Sequence, residues 1–183
     1  MTEATPPAVE LEALIALYYS DASQLGQFTR CDKQSVPPVY RKLLAHEAHM
    51  TVTVEKRHGC QVDVEVVASE QSETHYIRKI LLRRRTDNRV VQFGIVRLAL
   101  NTLDAAPREE ILARKVPLGR VLIKHNVMRH VQLMAVWRVV CGPELASYFE
   151  VEVGTETYGR TALIYCNGDP AVELLEIVAP EVA

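Results

Sequence analysis

Apolar residues recur at intervals of three and four between Val9 and Tyr19, where Leu11, Leu14, Ile15 and Tyr18 form one stripe. That spacing predicts a helix. A loop with Gly26 and the Pro37-Pro38 pair follows. Val39 to Ala48 predicts a short helix on Tyr40, Leu43 and Leu44, ending near His49. The period then falls to two. Met50-Thr51-Val52-Thr53-Val54-Glu55 alternates and is rich in β-branched residues, so it reads as a strand, with a turn over Lys56 to Gly59. Gln61-Val62-Asp63-Val64-Glu65-Val66 alternates apolar and polar positions, the mark of a half-exposed antiparallel hairpin. Tyr76 to Arg84 and Val90 to Leu100 read as two more strands around an Asp87-Asn88 turn.

Pro107 to Leu112 suits the start of a helix, with proline in the first turn and Glu109 and Glu110 near the positive end of the dipole. Pro117 to His125 predicts another short helix, Val127 to Val140 a long strand, and Pro143 to Phe149 a helical turn. Thr157 to Cys166 and Ala171 to Ala179 form a last hairpin about Asn167-Gly168-Asp169. Hairpins in succession, with helices grouped between them, predict an α+β fold on a single antiparallel sheet. The 183 residues fit one domain spanning residues 1–183, with residues 1–8 expected to be disordered.

Composition narrows the function classes. The formal net charge is −2, so nothing calls for nucleic acid or an anionic membrane as partner. Arg83-Arg84-Arg85 reads as a solvated strand end. No apolar run approaches the roughly 20 residues of a membrane helix. The N-terminal segment lacks a basic region before an apolar core, so no signal peptide is expected. Cysteines at 31, 60, 141 and 166 have neither zinc spacing nor the density of a disulfide scaffold, and read as reduced thiols in a cytoplasmic protein. His46 with His49, and His125 with His130, each lack a third ligand nearby, so no metal site is expected. No Gly-x-Ser-x-Gly elbow supports a serine hydrolase.

Two charged residues stand where apolar neighbours surround them. In an extended strand, Arg78 shares a face with Tyr76, Ile80 and Leu82. Glu176 has two apolar residues on either side, in Val172-Glu173-Leu174-Leu175-Glu176-Ile177-Val178. A charge so placed is costly unless paired or hydrogen-bonded. One such cation and one such carboxyl suit a small, flat, anionic ligand with a hydroxyl at its far end.

Both residues fall in an ordered set of segments. These are His49-Met50-Thr51, Tyr76 to Leu82, Pro117-Leu118-Gly119-Arg120, Tyr158-Gly159-Arg160, and Gly168-Asp169-Pro170 leading to Glu176. In this order and spacing the chain resembles the chorismate lyase (chorismate–pyruvate lyase) family from roughly Phe28 to Pro180. The resemblance implies short helices covering a buried ligand pocket, and a cofactor-free lyase that converts chorismate to 4-hydroxybenzoate and pyruvate, as in ubiquinone biosynthesis. Arg78 matches the arginine that binds the ring carboxylate, and Glu176 the carboxylate that meets the product hydroxyl. Glu176 is preferred to Glu173 because it lies four residues before Pro180.

Met50 and Leu118 match positions whose backbone amides help hold the ligand carboxylate, and Gly119 permits close backbone approach. Arg160 either binds the enolpyruvyl carboxylate or supports the pocket. The pattern departs after Gly94, where the family archetype has an arginine and this chain has Ile95. Either Arg97, on the same strand face as Ile95, or Arg160 replaces that arginine, or this branch handles the second carboxylate differently. The expected partners are chorismate and 4-hydroxybenzoate, with a monomer or small homo-oligomer. The rival reading is a non-enzymatic binder of small aromatic acids, since the same fold resembles the effector-binding domain of a class of bacterial transcription regulators. Only about 25 residues precede the resemblance, too few for a winged-helix DNA-binding domain, which favours an enzyme. A related enzyme giving a different chorismate product is the third reading.

Overall fold

The computed structural model describes residues 8–181, so the disorder expected over residues 1–8 lies outside them except at Ala8. Among the described residues, seven strands form one sheet: β1 (Gly26–Cys31), β2 (Val62–Gln71), β3 (His75–Arg84), β4 (Val90–Ala99), β5 (Arg129–Cys141), β6 (Glu156–Cys166) and β7 (Asp169–Val178). Every neighbouring pair is antiparallel, in the order β1-β5-β6-β7-β4-β3-β2. Six short helices accompany them: α1 (Leu11–Ala16), α2 (Pro38–Leu44), α3 (Met50–His58), α4 (Ala105–Leu112), α5 (Leu118–Lys124) and α6 (Pro143–Phe149). The α+β class and single antiparallel sheet predicted from the hydrophobic pattern are what the chain adopts. The β6–β7 hairpin turns on Asn167 and Gly168, both at positive φ, as a tight turn matched to strand twist requires.

Side-chain alternation divides the sheet into two buried faces. One face carries Leu81, Phe93, Ile95, Val139, Leu175 and Ile177, packed under α1 and α6 through Leu11, Leu14, Leu145 and Phe149. The other carries Tyr76, Ile80, Leu82, Val96, Leu98, Leu174 and Ile164, covered by α2, α3, α4 and α5. Arg78, Arg160 and Glu176 belong to this second face. Burial of both faces explains why β3, β4 and β7 read as near-continuous apolar runs.

Two elements differ from expectation. Met50 to Glu55, read as a strand, is the start of helix α3. Its buried residues are Met50, Thr51 and Val54, one helical stripe, while Val52 is 48% exposed. A Thr-Val-Thr-Val run has no one-sided polarity, so its period is set by where Met50 and Val54 dock rather than by propensity. Gly59, in the left-handed region at φ 65°, closes the helix. The segment around Gly26, read as loop, is edge strand β1, paired with β5 from Gly26–Cys141 to Cys31–Val136. A partner more than a hundred residues away leaves no local hairpin signal.

Candidate functional site

The covering helices do not seal completely against the second face. They leave a small cavity lined by His49, Met50, Thr51, Arg78, Gln92, Leu118, Gly119, Arg160 and Glu176, with apolar walls from Val64, Ile80, Leu82, Val96, Ile164 and Leu174. Its room for the centres of water-sized spheres is ≈ 40 Å³. Enlarged by a water radius of about 1.4 Å, the space is on the scale of a single-ring compound.

Arg78 forms one end. It is 1% exposed, and its Nε and Nη1 have no hydrogen-bond partner. Burial holds its pKa below the usual arginine value, opposed by the neighbouring Tyr76 phenol. Buried guanidinium N–H groups without a protein partner are costly, and each calls for an explanation such as a water, an ion or a ligand. Arg78 lines the cavity.

Glu176 sits one rung further along the sheet, paired in register with Gly94 and Arg160, whereas Arg78 pairs with Val96. Glu176 Oε2 accepts from Arg160 Nε at 2.8 Å, with both side chains nearly out of solvent. Arg160 is otherwise committed to the loop before α3. Its Nη1 donates to the His46 carbonyl at 2.9 Å and its Nη2 to the Ala48 carbonyl at 3.0 Å. Arg160 therefore supports the pocket, ties its cover to the sheet and compensates the Glu176 charge.

Met50 opens α3, and Leu118 and Gly119 open α5, with the N-terminal ends of both helices at the cavity. The first backbone N–H groups of a helix have no partner within it. Gly119 packs closely there: a Cβ would lie 3.1 Å from His49 Cβ, against the ring that walls the cavity. His49 is a neutral acceptor at Nε2, which receives Arg129 Nε at 2.9 Å. Burial first, then the Arg129 and Arg160 charges, push its pKa down to about 4.

Six of the seven site residues singled out in the sequence thus meet at one cavity: Met50, Arg78, Leu118, Gly119, Arg160 and Glu176. Arg97 does not. It shares a strand face with Ile95, as expected, but that face is the one under α1 and α6, since Ile95 pairs with Leu175 and Arg97 with Glu173. Arg97 Nη1 is bonded to Glu173 at 3.0 Å, half exposed. It cannot stand in for the family arginine. Gln92 escaped the sequence reading. It is 2% exposed, lines the cavity, and its Oε1 has no hydrogen-bond partner. The available signal was a lone amide in step with Val96 and Leu98 along an apolar strand.

Among the described residues no group of three or more His, Cys, Asp or Glu is placed to hold a metal ion. All four cysteines are free thiols. Among the described residues no helix is long and apolar enough to cross a membrane.

No protein-family model matches the chain, and no curated protein is found as a relative. Solved structures do share its architecture. PhnF from Mycobacterium smegmatis aligns with a TM-score of 0.53 at 11% identity, over 72% of this chain and 64% of that one. Gene product SA0254 from Staphylococcus aureus subsp. aureus N315 aligns at 0.51 and 9% identity, over 74% of this chain and 90% of that one. The fold is chorismate lyase-like. The ligand-binding domain of a putative GntR-family transcriptional regulator from Bordetella bronchiseptica aligns less well, at 0.48 and 15% identity, over 64% of this chain and 85% of that one. At such identities the likeness is one of fold. The chain spans just under two thirds of PhnF's length.

Proposed function

We propose that the cavity holds a small, flat ring compound by its carboxylate, and that the protein acts on chorismate as a cofactor-free lyase, giving 4-hydroxybenzoate and pyruvate. The observation that carries this reading is Arg78, a buried guanidinium with unpartnered donors that lines a small, mostly apolar cavity. A planar fork with free N–H groups fits a carboxylate in two-point fashion and fixes the ring plane. Glu176 lies two residues further along the strand direction, about 7 Å at the usual rise. β4 lies between their strands, which adds about 10 Å across the sheet, and both residues line the cavity.

The chemistry asked of the residues is limited. The ring carbon bearing the hydroxyl loses a proton, the neighbouring carbon–oxygen bond breaks, and the released enolpyruvate takes up a proton to become pyruvate. Substrate and products balance without oxidation or reduction. Arg78 orients the ring, Glu176 is the carboxylate at the hydroxyl end, and the cover excludes water.

A second reading, binding without turnover, is favoured by one observation. Chorismate carries two carboxylates, while the Arg160 charge is paired with Glu176, leaving Arg78 as the cavity-lining guanidinium without a carboxylate partner. Incubation of the pure protein with chorismate separates the two readings. The lyase yields pyruvate and 4-hydroxybenzoate in equal amounts, with or without chelator. Pyruvate formation no faster than the spontaneous rate, with 4-hydroxybenzoate still binding in calorimetry, leaves the binder. Absence of both activity and binding overturns both.

A further inference from the structure

A dianionic ligand needs a second cation, and the residues expected to supply it are accounted for elsewhere. Ile95 is apolar and buried under the opposite layer, Arg97 faces that layer with Glu173, and Arg160 is held in place through Nε, Nη1 and Nη2 by Glu176 and the loop carbonyls, its charge offset by Glu176. One guanidinium touches the cavity wall from outside. Arg129, at the start of β5, donates through Nε to His49 Nε2 at 2.9 Å and through Nη1 to the Val127 carbonyl at 3.2 Å. His49 lines the cavity on one side, and an outer pocket with Arg129, Glu47, His130, Val52 and Ile123 on the other. His49 is thus the partition between an enclosed site and an open vestibule.

We infer that Arg129, beside the partition formed by His49, is the specificity-determining cation for the second carboxylate of the ligand. The inference rests on the proposed ring-carboxylate site at Arg78. Its electrostatics agree with the geometry. The Arg129 and Arg160 charges that oppose a proton on His49 favour an anion at the same place. Arg129 is exposed, so its side chain has room to follow an incoming carboxylate, and Glu47 is the acidic residue that lines the same vestibule. The division of labour follows. Arg78 grips the ring carboxylate in the dry interior, and Arg129 grips the substituent arm at the boundary with water. Once the arm is lost, only the Arg78 contact remains, so the product of cleavage is held by fewer charges than the substrate.

The test compares two probes by calorimetry on the full chain. One is 4-hydroxybenzoate, a monoanion. The other is 4-hydroxybenzoate bearing a carboxymethoxy arm next to its hydroxyl, a dianion. Arg129→Gln is expected to weaken the dianion by roughly ten- to a hundredfold, the worth of a charge-assisted contact, and to change 4-hydroxybenzoate by less than about twofold. Arg129→Lys, which keeps the charge, is expected to restore part of the preference. Raising salt is expected to erode the preference in the wild-type protein and not in Arg129→Gln. If the protein turns over chorismate, Arg129→Gln should raise KM more than it lowers kcat. Equal losses for both probes, or no loss for either, would overturn the inference while leaving the Arg78 site standing. Failure of the wild-type protein to bind 4-hydroxybenzoate at all would instead overturn the underlying reading, and this one with it.

Discussion

Arg78, buried with two donors unpaired, is a liability to the fold. A buried guanidinium with two donors unpaired costs stability that an apolar residue of similar length would recover. Arg78→Met is therefore expected to raise the unfolding free energy by about 1–4 kcal/mol and to abolish binding of 4-hydroxybenzoate. Denaturant unfolding and calorimetry on the same preparation check both halves, and a variant less stable than wild type would mean that Arg78 has a structural partner. His49 makes a second, opposite demand. Its folded pKa of about 4 lies below the ordinary 6.5, so the unfolded chain binds the proton first as pH falls. The stabilising contribution is complete above 6.5 and is lost as pH drops through that window toward 4, a loss of about 2–4 kcal/mol. His46 and His58, lowered mainly by burial, add in the same sense. His49→Gln should flatten the slope of stability against pH between 6.5 and 4, and an unchanged slope would show that the neutral ring is not what the fold requires.

The elements show where sequence reading succeeds and where it stops. Arg78 and Glu176 were legible because a charge inside an apolar run needs an explanation at the level of the strand itself. The hairpins β3–β4 and β6–β7 were legible because partner and turn lie close together in the chain. Three features were not. β1 finds its partner only through the fold, and Arg97 and Arg78 could be assigned to opposite faces only once the β3–β4 register was known, with Arg78 on the rung of Val96. Helix α3 is the third, since its β-branched residues argue for a strand while burial of Met50 and Val54 selects a helix. That conflict leaves a measurable trace at Val52, which is exposed and contributes little to packing. Val52→Ala should stabilise the protein by about 0.3–0.7 kcal/mol, because alanine is the better helix former. A strand at this position would lose stability from the same change.

At the scale of the molecule, the sheet is two hairpin systems joined by one strand. β2, β3 and β4 form one, β1, β5 and β6 the other, and β7 lies between β4 and β6. Ending the chain after Gly168 is expected to leave no cooperative unfolding transition, because both systems lose a buried partner and Glu176 goes with it. A sharp transition in circular dichroism would show instead that one hairpin system folds alone. The central place of β7 also governs what happens during synthesis. It is the last of the seven strands to be translated, yet it is the one to which β4 must bond. About 70 residues separate the two, so at about 5–20 residues per second the apolar edge of β4 waits roughly 4–14 s with no partner. During that interval Phe93, Ile95 and Val96 offer an open template to any other nascent chain. A slowing of translation between β4 and β7 would lengthen this window, whereas a slowing before β4 would not. Insoluble yield should therefore respond to synonymous codon changes in residues 100–168 more than to the same changes in residues 1–89.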